Sequence, residues 1–346
     1  MTGKRVTIKD LARAVGVNPS TVSRALNPST RHLITEEVIE KITRAADEMG
    51  YFPNRMAAAL VHNKSHTIGL IISTITNPVF PPVVCGLEEV LYKAGYTLVT
   101  MSSNNIEDYE RTAYGRIRER AIDGCILASA VRQDPVVDEF LKQGFPLVLV
   151  NRMTDRQDVH AVINDDEAGM RLAIDHLTGL GHRKIAHITG PMEVSTCFAR
   201  LQGFTASMKS KGLSPEYVMH TTSFTAEAGF RAMKELLALK ADITAVAAGS
   251  DLLALGCLDA IRDAGLSCPA DISVTGYNDI PMMDRISPAL TTVTVPQLEI
   301  GQKAAETLLA LLEGTEKDDE KRGNIIKVTP SLSIRESTRP VGWWSP

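Results

Sequence analysis

Between residues 67 and 328, short and almost wholly apolar segments alternate with stretches of helical periodicity, and this rhythm constrains the fold more than any other feature. The apolar segments are 67–73 (TIGLIIS), 97–102, 125–128, 147–150, 161–163, 184–189 (KIAHIT), 245–248, 273–276 and 325–328. The stretches between them predict helices over 82–95, 109–120, 169–179, 199–211, 225–238, 251–264 and 298–312. Strands this apolar need cover on both faces, which a parallel sheet flanked by helices provides. The rhythm breaks and restarts near residue 164. Two doubly wound parallel-sheet α/β lobes are therefore expected, with a cleft outside the carboxyl ends of their strands.

Ahead of this body, residues 6–27 (VTIKDLARAVGVNPSTVSRALN) read as a helix-turn-helix headpiece. A helix over 8–14 breaks at Gly16, Val17, Asn18 and Pro19, and a second runs over 20–27. Leu11, Ala12, Val15, Val17, Val22 and Leu26 form an apolar set that two crossed helices can share. Ser20, Thr21, Ser23, Arg24 and Asn27 are left facing outward. Short donors beside one arginine suit a major groove, where side chains reach base edges and phosphates together. A third helix is expected from Thr35 as its N-cap, through Val38, Ile39, Ile42, Ala45, Ala46 and Met49, to a stop at Gly50.

The net charge of −4 looks wrong for a DNA reader until it is divided along the chain. Residues 1–65 hold ten Lys/Arg against six Asp/Glu, and the remainder holds 27 against 35. The positive charge is thus concentrated in the headpiece, on an acidic body that DNA repels. The five cysteines (Cys85, Cys125, Cys197, Cys257 and Cys268) are widely spaced and form no C-x-x-C pair, as reduced thiols would. No signal peptide begins the chain, and no apolar run approaches the roughly 20 residues of a membrane span. A cytoplasmic, nucleoid-associated protein is expected, with no membrane partner. No phosphate-loop, dinucleotide, nucleophile-elbow or zinc-protease motif occurs, so neither a catalytic residue nor an enzyme is expected. The eight histidines show no metal spacing, and His176, His182 and His187 are read as structural.

Further stretches carry a family resemblance: 50–55 (GYFPNR), 175–191 (DHLTGLGHRKIAHITGP), 200–204 (RLQGF), 271–279 (DISVTGYND) and 286–293 (ISPALTTV). With 6–27 they resemble the LacI/GalR family of bacterial transcription regulators, to about residue 339. The resemblance implies a helix-turn-helix headpiece over 1–53 and a hinge helix and linker over 54–66. A two-lobed, periplasmic-binding-protein-like body follows over 67–339, then a tail over 340–346. The first lobe is expected at about 67–163 plus 294–324, and the second at about 164–293 plus 325–339. The tail shows no leucine heptads, so a homodimer is expected and not the family's coiled-coil tetramer.

The resemblance also implies site residues. Thr7, Ser20, Thr21, Ser23, Arg24 and Asn27 would meet DNA in the major groove, and Pro19 stands where many relatives place a base-reading side chain. Asn54, Arg55, Ala57 and Leu60 would meet the minor groove at the centre of a near-palindromic operator. There Leu60 acts as a wedge that kinks DNA most cheaply at a pyrimidine–purine step. A helix of about seven residues does not hold alone in water, so this hinge is expected to order only on DNA or against a partner subunit. A small-molecule effector, a sugar or sugar acid, would sit between the lobes on Val79, Phe80, Asn151, Arg152, Arg200, Phe224, Ser250, Asp251 and Asn278. Arg152, with Asn278 in place of the acid many relatives carry, favours an acidic effector. Asp165 and Asp251 are read as candidates to orient arginines. No cofactor is implied beyond the effector. The resemblance makes the chain a repressor whose operator binding a metabolite controls. The alternative, a transporter's solute-binding protein, shares the two-lobed body but needs an export signal and no helix-turn-helix.

Overall fold

The computed structural model describes residues 6–27, 30–51, 64–104, 106, 109, 111, 112, 115–117, 122–315 and 323–342. The chain divides into two units, Met1–Ser65 and His66–Pro346.

In the first unit, α1 (Ile8–Val15), α2 (Pro19–Leu26) and α3 (Glu36–Met49) close on one small core. Leu11, Val22, Ile39 and Ile42 form its buried centre, with Ala12, Val15, Ala25 and Ala46 around them. The start of α1 is fixed by a capping box: the Asp10 amide donates to the Thr7 hydroxyl, and the Thr7 amide donates to the Asp10 carboxylate. Gly16 and Gly50 end α1 and α3 in the left-handed region, where a side chain would be strained. Thr35 does precede α3 in extended conformation, but its side chain makes no cap hydrogen bond. The acids Glu36 and Glu37 are what remain to favour that helix end. The expected hinge at 54–60 lies outside the described residues.

Among the described residues, the second unit holds two six-stranded sheets. The first contains β1 (Thr67–Ile72), β2 (Thr97–Ser102), β3 (Gly124–Leu127), β4 (Leu147–Val150), β5 (His160–Asn164) and β11 (Ile325–Val328). All its pairs are parallel, in the order β11-β5-β4-β3-β1-β2. The second contains β6 (Ile185–Thr189), β7 (Val218–His220), β8 (Ala245–Ala248), β9 (Ser273–Asn278), β10 (Thr291–Thr294) and β12 (Ser331–Ser333). Its order is β12-β10-β9-β8-β6-β7, parallel except at the β10–β12 edge. The helices with both ends among the described residues are α4 (Phe80–Lys93), α5 (Pro135–Lys142), α6 (Asp166–Gly179), α7 (Ser195–Ser210), α8 (Ala226–Ala238), α9 (Asp251–Asp263) and α10 (Gln297–Glu313).

One expected lobe boundary is corrected. Residues 325–328 were assigned to the second lobe, but β11 pairs with β5 in the first sheet, Ile325 against Ala161 and Val328 against Asn164. A four-residue apolar strand carries no mark of the sheet it joins. Helix α5 was not predicted, although Asp134 caps it by accepting from the Val136 and Val137 amides, and Pro135 opens it. Strands β7, β10 and β12 were missed because they are only three or four residues long, and β10 and β12 are mostly polar as well. The 109–120 helix lies partly outside the described residues.

Candidate functional site

On α2, Val22 and Ala25 turn inward to the headpiece core. Ser20, Ser23 and Arg24 are exposed, and Thr21 and Asn27 are half-buried. Pro19 takes the first helical position, where no backbone N–H is needed. The outward face foreseen for this helix is therefore present. Thr7 is a different case, since its hydroxyl is engaged with Asp10, donating to the carboxylate over 2.6 Å. Asn54, Arg55, Ala57 and Leu60 lie outside the described residues.

In the body, the loops after the strand ends enclose a cavity of about 30 Å³ between the sheets, room for a water or two. Of the nine side chains assigned to an effector, Val79, Phe80, Asn151, Arg152, Arg200, Phe224, Ser250 and Asn278 line it. Asp251 does not. It is fully buried beneath the floor, where one carboxylate oxygen accepts from the Thr292 hydroxyl and the other from the Ile280 amide at 2.8 Å. Burial pushes its carboxyl up to about 7, despite these two donors. Asn77, Thr196, Leu252 and Ile280 complete the wall and were missed. Each had a signal in its spacing. Thr196 lies one helical turn before Arg200 on α7, Leu252 and Ile280 each follow a named residue by two positions, and Asn77 precedes Val79 by two.

Arg200 is 3% exposed, and its guanidinium is held on every side. Its Nε donates to Asp166 at 2.9 Å, Nη1 to the Gly249 carbonyl at 2.6 Å, and Nη2 to the Asn278 side-chain oxygen at 3.3 Å. The group lies 3.8 Å from the centre of the Tyr277 ring. Burial is the largest influence and works to lower the arginine's pKa, but the charge and hydrogen bond of Asp166, together with Tyr277 and Cys197, leave it raised above its ordinary value. Asn164 completes the cluster, donating to Asp166 at 3.1 Å and to the Tyr277 hydroxyl at 2.9 Å. The partner of Arg200 is thus Asp166, and neither acid read as a candidate reaches it. Asp165 caps α6 by accepting from the Ala168 amide.

Arg152 enters from the first lobe, also 3% exposed, with Nη1 donating to the Ser129 carbonyl at 3.2 Å. Its guanidinium lies 5.9 Å from the Phe224 ring centre. Ser250 caps α9 by accepting from the Leu253 amide. Asn278 and Asp279 adopt positive φ, and Asp279 is held there by Arg335 at 2.8 Å and by the Thr294 hydroxyl.

The three histidines are built into the second lobe. His182 bridges Thr244 and the Arg339 carbonyl, and His176 meets Thr338. His187 donates from Nδ1 to the Ala247 carbonyl, and burial lowers its pKa to about 4. No cluster able to hold a metal occurs among the described residues.

Residues 7–54 match the bacterial regulatory proteins of the lacI family, and residues 174–338 match the periplasmic binding protein-like domain. The chain is 30% identical to the HTH-type transcriptional repressor PurR of Vibrio vulnificus (strain CMCP6), over 97% of its own length and 99% of that protein's. It is 31% identical to the ribose operon repressor of Escherichia coli (strain K12), over 96% and 99%.

The chain belongs to the LacI family.

The Lac repressor dimer bound to operator and the anti-inducer ONPF superposes with a TM-score of 0.86 at 27% identity, covering 97% of this chain and all of that one. This LacI-family chain is accordingly a DNA-binding repressor whose hold on its operator a small metabolite controls. None of the helices among its described residues is long and apolar enough to cross a membrane.

Proposed function

We propose that the metabolite is a small hydroxylated compound, a sugar or sugar acid, held in the cavity between the lobes. The observation that carries this is the make-up of the wall. Seven hydrogen-bonding side chains (Asn77, Asn151, Arg152, Thr196, Arg200, Ser250 and Asn278) alternate there with Val79, Phe80, Phe224, Leu252 and Ile280. A sugar presents the same mixture, with hydroxyls in fixed directions around an apolar ring face. Because each lobe supplies part of the wall, a ligand favours one separation of the lobes over others.

On the DNA side, Ser20, Thr21, Ser23 and Arg24 of α2 read the major groove and, with Asn27 and Thr7, set its register. Asn54, Arg55, Ala57 and Leu60 read the minor groove at the operator centre. Two copies of the chain bring two α2 helices to half-sites about one helical turn apart. A shift between the lobes changes the spacing of the two hinge segments. A coupling of about 1–3 kcal/mol is enough to order or melt elements so short.

The test is to recover and sequence genomic fragments bound by the purified protein, with and without a panel of sugars and sugar acids. A single near-palindromic motif, gained or lost with one panel member, supports the reading. A motif unaffected by every sugar and sugar acid removes the effector assignment and leaves the repressor.

A further inference from the structure

We propose that the side of the cleft away from the chain crossings is fastened by a reversible latch, in which the Arg132 guanidinium, laid over Phe198, and two backbone amides of the first lobe hold the start of α7 in the second. This rests on the reading above that a ligand acts by favouring one separation of the lobes, and it adds what holds them together where the chain does not.

The chain passes between the lobes from β5 into α6, from β10 into α10 and from β11 into β12. In the second sheet β12 and β10 stand at one edge, and β6 is three strands on from β10. Strands about 4.8 Å apart put β6 roughly 14 Å from that crossing. A lobe rotation of about 10° then moves this side by roughly 2.5 Å, enough to break the hydrogen bonds there. The loop after β6 and the first turn of α7 are where the first lobe reaches across. The Arg132 amide donates to the Glu193 carbonyl at 2.8 Å, and the Met153 amide donates to the Ser195 hydroxyl oxygen at 2.9 Å. The Arg132 guanidinium lies 3.8 Å from the centre of the Phe198 ring.

The first lobe's half of this contact is one preformed piece. Arg132 is tied to Asp155 twice, its carbonyl accepting from the Asp155 amide at 2.8 Å and its Nε donating to the Asp155 carboxylate at 2.8 Å. The Val131 amide donates to Asp134, the residue that caps α5. These ties stay within the first lobe, so parting the lobes leaves them whole and breaks the ring contact and the two amide bonds. Arg132, Met153, Ser195 and Phe198 are half-buried and Glu193 is exposed, so water takes up the freed groups. Contacts of this kind are strong enough to bias the lobes and weak enough to release them. None of the five residues belongs to the cavity wall, whereas Arg152 and Thr196, their neighbours in sequence, do. The latch therefore acts on closure and not on the ligand's own contacts. A ligand of the closed lobes is weakened in proportion to the fraction of molecules closed beforehand, so cutting the latch lowers its apparent affinity.

The test is hydrogen exchange of the full-length protein resolved to single amides, because the two donors of the latch report their own opening. In Phe198→Ala the Arg132 and Met153 amides should both exchange roughly five- to tenfold faster, the Met153 amide even though its own acceptor is untouched. In Ser195→Ala the Arg132 amide should speed up by about threefold or more for the same reason. Phe198→Tyr keeps the ring and should exchange as the wild type does. The amides of Leu149 in β4 and His187 in β6 serve as references and should not change. A Met153 amide unmoved by Phe198→Ala, or an Arg132 amide unmoved by Ser195→Ala, means that the contacts open separately and overturns the latch. So does an acceleration that the reference amides share, or a Phe198→Tyr protein that matches Phe198→Ala. No ligand enters the experiment, so a failed latch leaves the sugar reading standing, and an effector of another class leaves the exchange result unchanged.

Discussion

Replacing Asp166 by alanine is the perturbation that the cleft should tolerate least. The carboxylate and the Arg200 guanidinium are both withdrawn from water, at 5% exposure or less, and they meet at 2.9 Å. Removing one member of such a pair leaves a buried charge uncompensated, which costs about 3–5 kcal/mol. Two contacts soften the loss, because Arg200 keeps the Gly249 carbonyl and the Asn278 oxygen. One adds to it, because Asn164 loses an acceptor and keeps only the Tyr277 hydroxyl. The expected destabilisation is about 4 kcal/mol. At about 2 °C per kcal/mol, fitting for a body of this size, thermal unfolding followed by circular dichroism should shift down by roughly 8 °C. Asp166→Ala combined with Arg200→Met should recover much of that loss, because it removes the charge as well as its partner. A shift under about 2 °C for the single variant, or a double variant no more stable than the single, refutes the reasoning. Either result would mean that water reaches the pair.

Three other outcomes are expected. In Gly256→Ala, the new methyl would overlap the Ala226 carbonyl and the Phe230 amide where α8 and α9 touch. The variant should lose about 3 kcal/mol or more in urea denaturation, and an unchanged midpoint would show that the helices can move apart freely. Burial raises the Asp251 carboxyl from its ordinary value near 4 up to about 7, so its contribution is fully present below about pH 4 and is lost as pH rises through 7. Wild-type stability, read as melting temperature, should therefore fall between about pH 4 and 7, by no more than about 4 kcal/mol, and Asp251→Asn should flatten that fall. A wild-type profile that rises across this range contradicts the assignment. On DNA, Arg24→Ala should weaken operator binding by roughly tenfold and Leu60→Ala should erase any preference at the central base step, both read by gel shift at fixed salt. An Arg24→Ala protein with wild-type affinity at every salt concentration would remove that side chain from the interface.

Much of this architecture was legible in the chain because it depends on neighbours in sequence. Strands β2 and β4 and the helical stretch of α8 follow from local apolar runs and spacing. The headpiece follows from six apolar residues at helical intervals and from two glycines that only a left-handed stop requires. Eight of the nine residues that the resemblance assigned to an effector do line the cavity. The helix starts were less legible. Helix α6 begins at Asp166 and not three residues later, because Asp165 turns its side chain onto the Ala168 amide.

That small difference is what only the tertiary structure could decide. Successive residues on a helix point about 100° apart, so of Asp165, Asp166 and Glu167 just one could meet an arginine 34 residues further on. Nothing in the sequence says which. The same holds for Asp251, whose place at a strand-to-helix junction looks like a ligand position until Thr292 and Ile280 arrive from elsewhere in the chain. It holds again for β11, which returns to the first sheet through pairings more than 160 positions apart. Periodicity and capping act within one helical turn or one strand, and these the sequence carries by itself. The balance of charge in the cleft depends on side chains brought together by packing, and this determined that Arg200 is neutralised and Arg152 faces the cavity from the other lobe.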